Sequence, residues 1–184
     1  MNLLEEEKNH PKFQMFYQEG ILDLSEETEP IKYEEYLIFK TIKKVIFGPN
    51  IQEIGPLAFY VCQNLQEVDF NGTCITRIPI SCFAGTSLKS IVLPSSISVI
   101  AMGSFQICEN LSSIVLLGVK QINDWAFRYC KNLRNIEISD HIEYIRVDAF
   151  YESGHTNPIT ITCPQRFEEY FLERFPNAIF TRNE

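Results

Sequence analysis

The chain contains six cysteines, the side chains best suited to metal binding or redox chemistry. Zinc sites of small domains commonly use Cys-x-x-Cys pairs, and no such pair occurs here. We interpret the cysteines as small buried core residues, because three of them recur at one position of a repeat described below. A disulfide between Cys108 and Cys130, in neighbouring repeats, is the alternative. The six are Cys62, Cys74, Cys82, Cys108, Cys130 and Cys163.

The three histidines offer no catalytic or metal-binding arrangement. His10, His141 and His155 are scattered, and none has a cysteine, serine or carboxylate at a spacing typical of a base or a metal ligand. The eight glycines are dispersed, so no phosphate-binding loop is predicted. We therefore predict no catalytic residues, no metal and no cofactor. An enzyme with a site assembled across repeats is the alternative, and it needs a deep pocket holding paired polar groups.

Two segments match the acceptor pattern of N-glycosylation, at residues 71–73 and 110–112. Asn110 also belongs to a repeated corner of the chain, together with Asn64 and Asn132. Because asparagine side chains commonly satisfy backbone groups in turns, we interpret Asn110 as a turn residue and both matches as accidental.

A repeat of about 23 residues positions most of these side chains. Its leading leucine stands at positions 65, 88, 111 and 133, and its phenylalanine at 59, 83, 105, 127 and 150. Three of the cysteines follow a repeat phenylalanine by three residues. The pattern Leu-x-x-Ile-x-Ile at the start of each unit predicts a short strand with one buried face. One unit cannot bury its apolar residues alone, so the units are expected to stack into one parallel sheet over a continuous core.

Residues 93–111 resemble the repeat of the BspA-like leucine-rich-repeat family almost position for position, and the resemblance extends over about residues 42–163. It implies an α/β repeat solenoid with a parallel sheet on a concave face and short helical or irregular turns on the convex face. It also implies adhesion or protein–protein contacts and no shared catalytic residues. Two repeats depart from the pattern, at Gly85–Ser87, where one residue and the cysteine are missing, and at 154–158, where residues are inserted.

The repeats suggest three parts of the chain. Residues 1–41 are predicted to be an acidic N-terminal segment and cap, in which Ile21–Leu24 forms a divergent strand and Tyr33–Lys40 a returning helix. Residues 42–158 hold five repeats. Residues 159–184 are predicted to be a C-terminal cap with an amphipathic helix, because the aromatic residues between Pro164 and Pro176 share one helical face.

Residues Lys44–Phe47 resemble the docking motif of protein phosphatase 1 ligands, which bind as an added strand. The same residues begin the first repeat, so Val45 and Phe47 are expected to point into the core. A regulatory subunit of protein phosphatase 1 is therefore the lowest of our functional alternatives.

The outward-facing strand positions form the candidate partner site, since side chains alternate along a strand. Val92 and Val115 are expected to be exposed neighbours beside the small residues Ser90 and Ser113. A purely structural role for these β-branched residues is equally compatible with the pattern. The ten predicted positions are Lys44, Ile46, Glu67, Asp69, Ser90, Val92, Ser113, Val115, Asn135 and Glu137.

Charge is concentrated at the N-terminus, where residues 1–36 carry −7 of the net −8. No basic stripe is present, which disfavours nucleic acid and anionic membranes as partners. The start lacks the basic and apolar regions of a secretory signal, and no segment is long enough for membrane insertion, so we expect a cytoplasmic protein. We predict a non-catalytic protein-binding scaffold, monomeric or an end-stacked dimer. The alternative is a surface or secreted adhesin or effector of the same fold.

Overall fold

A computed structural model describes residues 5, 7, 9–37, 39–70, 72–154 and 158–182. The chain winds into a parallel-sheet solenoid, as the repeat predicts. We call each full winding of the solenoid, from one long strand to the next, a coil. Each coil contributes one long strand, and successive long strands pair in parallel and in register, except that β4 and β6 belong to different sheets. The long strands are β2 (Ile21–Leu24), β3 (Lys44–Phe47), β4 (Glu67–Asp69), β6 (Ser90–Leu93), β8 (Ser113–Leu116), β10 (Asn135–Ile138), β12 (Thr160–Thr162) and β13 (Ile179–Thr181).

A second ladder of short strands runs along the solenoid, and sequence analysis missed it as a sheet. It is built from the Ile-x-x-Ile step of each repeat, which the pattern suggested only as a turn back under the long strand. The short strands are β5 (Arg77–Ile78), β7 (Val99–Ile100), β9 (Gln121–Ile122) and β11 (Tyr144–Ile145), paired in parallel. The parallel bridge between Ile31 and Ile54 repeats the same contact nearer the N-terminus.

The repeat phenylalanines form a stacked column through the core. The rings of Phe59, Phe83 and Phe105 lie with centroids 5.4 and 5.6 Å apart and planes within 10° of parallel. The column continues through Phe127 and Phe150 with the same geometry. Ring spacing therefore follows the spacing of the strands, about 4.8 Å, and one aromatic side chain per repeat fills the interior.

The turns on the opposite side are irregular rather than helical. At Leu57, Phe59 and Val61 the backbone N–H donates to a carbonyl of the following coil, at 2.8–3.0 Å. Leu57 and Val61 have left-handed backbones, with φ of 59° and 57°. Left-handed residues recur in later coils, at Ser81, Gly85, Gly103, Ile107, Trp125, Tyr129 and Glu152. Because these N–H groups donate to a neighbouring coil, they are not available for the local bonds to the carbonyl four residues earlier that an α-helix needs.

The acidic N-terminal segment contains a further coil. Strand β2 pairs in parallel with β3, and Tyr36 occupies the phenylalanine position, stacked on Phe59. The expected returning helix is wrong for Tyr33–Leu37, which form a turn of the repeated kind, and Ile38 lies outside the described residues. The helix α1 (Pro11–Phe16) and the antiparallel strand β1 (Tyr17–Gln18) cover this end.

Helix α2 (Glu168–Arg174) covers the other end of the core. A 3₁₀ turn at Gln165–Phe167 leads into it, and β13 follows as an edge strand parallel to β12. The Phe171 ring meets Phe150 edge-on, at 5.6 Å between centroids, and so closes the aromatic column.

Candidate binding surface

The ten predicted surface residues lie on the outward-facing side of the long strands, which we call the strand face. The pairing register places Lys44 beside Glu67, and Val92 beside Val115. The inward-facing residues of β3 and β6 are buried, so the alternation expected from the sequence is present along these strands, whereas Val68 of β4 is half-buried. The ten residues therefore lie on one side of the solenoid, as two columns running across the strands.

The apolar part of the strand face centres on Val92, which is 54% exposed. Val115 beside it is half-buried, and Ser90 and Ser113 complete a patch with little side-chain bulk. Polar residues follow on both sides, with Asp69 towards the N-terminus and Glu137 towards the C-terminus. Exposed valine among small polar residues offers a shallow contact surface rather than a deep pocket.

Lys44 and Glu67 form an ion pair across β3 and β4, with Nζ and Oε1 2.5 Å apart. Hydrogen bonding to Glu67 raises the pKa of the Lys44 ammonium. Both side chains are solvent-accessible, so the pair contributes little to folding stability. The ion pair does place the Lys44 ammonium against the Glu67 carboxylate, on the part of the strand face formed by β3 and β4.

The strand face is divided between β4 and β6, which belong to different sheets. Lys89 N donates to Gln66 O at 3.3 Å before the two strands part, and the equivalent bond between β6 and β8 is 2.9 Å long. Repeat two carries an extra residue after Phe70, and Gly72 there has φ of +74°. The division opens a groove of about 470 Å³ lined by Glu67, Asp69, Val92 and Leu117.

A larger groove of about 650 Å³ lies at the N-terminal end of the strand face. Its apolar lining includes Met15, Ile21 and Ile46. The sequence predicted only Ile46 of these. The others were missed because the strand Ile21–Leu24 was interpreted as part of a cap, although the alternation Ile-Leu-Asp-Leu already indicated outward positions at 21 and 23.

A cationic cluster on the turns was also missed. The Arg128 guanidinium carbon lies 5.3 Å from the centre of Trp125, 4.6 Å from Tyr129 and 5.4 Å from Tyr151. Its Nη2 donates to the Tyr129 hydroxyl at 3.1 Å. These positions vary between repeats, so the repeat pattern could not distinguish them. Trp125 and Tyr129 belong to one coil and Tyr151 to the next, so we interpret Arg128 as bracing two coils; Trp125 and Tyr151 stay 39% and 47% exposed.

Four of the six cysteines are buried in the core, as expected, whereas Cys74 is exposed and Cys163 is half-buried, so the expectation is wrong for these two. Cys62, Cys108 and Cys130 each donate from Sγ to a carbonyl of the preceding coil, at 3.0–3.2 Å. Thr86 and Ser153 occupy the same column where cysteine is missing, and both hydroxyls donate to a carbonyl. All six cysteines are free, so the alternative disulfide between Cys108 and Cys130 is not formed. Burial raises the pKa of Cys108 to about 11, which opposes thiolate chemistry there.

His10 and His141, the two histidines that the structure describes, do not share a site. His10 caps α1, where its Nδ1 accepts from the Phe13 N–H at 3.4 Å, and burial lowers its pKa. His141 contacts the hydroxyl of Ser139 at 3.2 Å, and His155 lies outside the described residues. Among the residues that the structure describes, no three His, Cys, Asp or Glu side chains form a cluster able to hold a metal ion.

The two short recognition motifs receive structural explanations. Val45 and Phe47 are buried, so the phosphatase-like segment is inaccessible in the folded chain. Asn64 and Asn132 donate from Nδ2 to a carbonyl of the preceding coil, at 2.6 and 2.7 Å, which confirms a turn role for that repeat position. Asn71 lies outside the described residues.

The parallel sheets, stacked phenylalanines and repeated turns define a leucine-rich-repeat solenoid. The family model of the BspA type leucine rich repeat region matches six copies, over residues 29–157 and 105–178. The chain therefore belongs to this family, whose members are generally non-catalytic. The match begins before residue 42, in agreement with the additional coil. Comparison with functionally curated proteins gives no significant match.

Two crystal structures illustrate the similarity. A leucine rich cell surface protein from Faecalibacterium prausnitzii A2-165 is 32% identical, with a TM-score of 0.62 over 66% of this chain and 32% of its own. The pneumococcal vaccine antigen PcpA is 14% identical, with a TM-score of 0.70 over 92% of this chain and 44% of its own, which shows the fold alone. The chain thus spans less than half the length of either protein. Within its described part, no helix is long and apolar enough to cross a membrane.

Proposed function

We propose that this protein is a non-catalytic module that binds another protein through its strand face. The observation that carries the proposal is the pairing of Val92 with Val115 at outward-facing positions, with Val92 more than half exposed. Apolar side chains surrounded by polar ones are typical of the centre and rim of protein interfaces. We expect the face to be concave, and the protein to be a monomer or a dimer stacked end to end.

A binding role accounts for the rest of the molecule better than catalysis does. The buried cysteines and the phenylalanines stabilise the stack. His10 and His141 lie far apart in the chain, and each has a local hydrogen-bond partner. The grooves on the strand face are open and lined by side chains from several coils, a shape suited to an extended partner. The carboxylates that line these grooves disfavour a polyanion such as nucleic acid as the partner.

A cell-surface adhesin is the second candidate, and the comparisons favour it. The F. prausnitzii protein with 32% identity is described as a cell surface protein, and PcpA as a vaccine antigen. A cytoplasmic scaffold remains the first expectation from the sequence. Labelling intact cells of the native host with a membrane-impermeant biotin reagent separates the two, because only a surface protein acquires the label while the cells stay sealed.

Affinity capture from native extract with two matched variants tests the binding site. The first variant combines Val92→Glu with Val115→Lys, which places opposite charges side by side and next to Glu137. Cross-strand pairs of opposite charge support strand pairing, so this variant is expected to fold. The control combines Met102→Glu with Val147→Lys, two exposed apolar residues of the turns.

The proposal predicts that wild-type protein and the turn control retain one common partner, which the strand-face variant loses. Circular dichroism and urea unfolding establish that both variants are folded. If a partner stays bound to the folded strand-face variant and is lost by the turn control, the binding surface is the turn side. If no partner depends on either surface, the proposed binding function is wrong.

A further inference from the structure

The N-terminal groove combines apolar surface and carboxylates on one continuous part of the strand face. Its volume is about 650 Å³. Met15 is 75% exposed and Ile21 40% exposed. Both residues line the groove together with the half-buried Ile46, which pairs in register with Asp23. Methionine adapts to varied apolar surfaces, which suits it to a contact site.

The carboxylates of the groove come from two turns and one strand. Glu19 lies in the turn between β1 and β2, Asp23 is an outward-facing residue of β2, and Glu26 follows that strand. All three side chains are exposed, and no basic residue is among the groove's lining. The uneven charge of the chain, −7 within residues 1–36, is therefore displayed partly around an apolar surface.

Two of the three lysines near the groove are paired with carboxylates outside it, and the third, Lys43, is exposed and lies against Gly20 at the edge of the groove without lining it. Lys44 stands beside Ile21 in the sheet but is paired with Glu67. Lys12, in α1, contacts Glu27 at 3.1 Å and Glu35 at 3.4 Å, two carboxylates that do not line the groove. Lys12 and Lys44 thus do not neutralise the three groove carboxylates, and Lys43 offsets at most one of the three charges.

The groove also adjoins the gap between β4 and β6. Ile46 of the N-terminal groove pairs in register with Asp69, which lines the second groove. An extended segment that starts over β2 and runs across β3 and β4 would meet apolar side chains and carboxylates in both grooves. Association of such a segment is favoured by burial of its apolar residues and accelerated by its positive charge.

We propose that the N-terminal groove is a docking site for a basic, apolar segment of a protein partner, one in which leucine-like residues alternate with lysine or arginine. This inference rests on the proposed protein-binding function and specifies where and by what chemistry the partner is recognised. A nucleic acid or an anionic membrane does not fit, because both are negatively charged.

Fluorescence anisotropy with three short labelled peptides tests the chemistry. One contains leucine and lysine, the second leucine and glutamate, and the third serine and lysine. At about 0.15 M ionic strength, where exposed charges more than about 8 Å apart are screened, the leucine–lysine peptide is expected to bind at least about tenfold more tightly than either of the others. Equal binding of the serine–lysine peptide would mean that charge alone is recognised, and it would overturn the proposal.

Three variants of the full chain locate the site. Glu19→Gln, Asp23→Asn and Glu26→Gln together remove the groove's charges, and the asparagine retains the acceptor that Asp23 offers to the Ser25 N–H. Met15→Gln with Ile46→Thr reduces its apolar surface. The charge-matched control combines Glu29→Gln, Glu53→Gln and Glu143→Gln, three exposed acids outside the groove. Each groove variant should weaken the leucine–lysine peptide about tenfold and the control less than about threefold.

The outcomes separate this inference from the proposed function. If the control weakens the peptide as much as the groove variants do, the peptide recognises only net charge and the groove is not a site. If the peptide fails to bind, while a captured partner still depends on Val92 and Val115, the groove inference fails and the binding function stands. If the peptide binds the groove but no captured protein depends on the strand face or the groove, the groove chemistry stands and the proposed function fails.

Discussion

The rings of Tyr36 and Phe59 stack with their centroids 5.2 Å apart and their planes 16° from parallel. Tyr36 therefore occupies the phenylalanine position of a coil that precedes the first repeat evident in the sequence. Its N–H also donates to Ala58 O at 2.8 Å, the same bond that Phe59 makes to Cys82 in the next coil. The N-terminal segment is stabilised by the contacts that stabilise the repeats.

Tyr36→Phe is expected to stabilise the protein, because the Tyr36 hydroxyl is buried and has no hydrogen-bond partner in the described part of the chain. Removing a buried polar group that lacks a partner should increase the free energy of unfolding by about 1 kcal/mol. Urea unfolding monitored by circular dichroism measures the change.

Phe59→Tyr is the matched comparison, since it adds a hydroxyl to the next ring of the column. It should lower the free energy of unfolding by about 1–3 kcal/mol. A loss of stability in Tyr36→Phe would show that the hydroxyl is hydrated or bonded in solution.

Sequence reasoning located the core and the outward strand positions, because both follow from residue periodicity. The same reasoning predicted the N-terminal strand Ile21–Leu24 but not that Tyr36 takes the phenylalanine position of its coil. It also missed the short-strand sheet, whose two-residue strands carry too little alternation to be recognised. It also missed the groove beside Met15, because that surface joins segments from a helix, a hairpin and β3. The periodicity of the repeat cannot predict contacts between elements that lie outside the repeat.

The hydrogen bond from Cys130 to Phe105 O leads to a second prediction. Cys130→Ser keeps a donor at this position, and the equivalent Ser153 shows that a hydroxyl is accommodated in the column. Cys130→Ala removes both the donor and part of the side-chain volume, so it should lower the free energy of unfolding by about 1–3 kcal/mol, and more than the serine variant does.

Urea unfolding of the two variants under reducing conditions provides the measurement. Cys74→Ala is the control, because Cys74 is exposed and should tolerate the change. Equal or greater stability of Cys130→Ala compared with Cys130→Ser would mean that the thiol acts only as an apolar group.

Alkaline pH is expected to destabilise the fold through its buried thiols. Burial raises the pKa of Cys108 from its ordinary value near 9 to about 11, and it also raises the pKa values of Cys62, Cys82 and Cys130. In this range the unfolded chain releases protons that the folded chain retains, so stability falls as pH rises. The contribution of the protonated Cys108 thiol to the free energy of unfolding is complete below pH 9. Between about pH 9 and 11 this contribution falls by about 1.4 kcal/mol per pH unit.

Thermal unfolding at several pH values, with Cys108→Ser as the comparison, measures this effect. The variant should show a shallower decline in stability above pH 9, because serine does not ionise there. A parallel decline in both proteins would assign the alkaline loss to other groups.

The left-handed turn at Ile107 provides the last prediction. Ile107 is 44% exposed and has φ of +60°. This left-handed backbone conformation costs a β-branched residue about 1–2 kcal/mol. Gly85 occupies the equivalent position of the preceding coil with φ of +70°, so glycine fits this turn. Ile107→Gly relieves the strain, while the flexibility of glycine in the unfolded chain and the lost side-chain contacts offset part of the gain, about 0.5–1 kcal/mol for the flexibility alone. The free energy of unfolding should therefore stay unchanged or rise by up to about 1 kcal/mol.

Val99→Gly is the control for Ile107→Gly, because Val99 is a half-buried β-branched residue in a regular strand, β7. Glycine there relieves no left-handed strain and weakens the strand, so it should cost about 1 kcal/mol or more. Urea unfolding compares the two directly. If Ile107→Gly is as destabilising as Val99→Gly, the turn is not strained, and the bonds between coils at Ile107 and its equivalents must suit a branched side chain as well as they suit glycine.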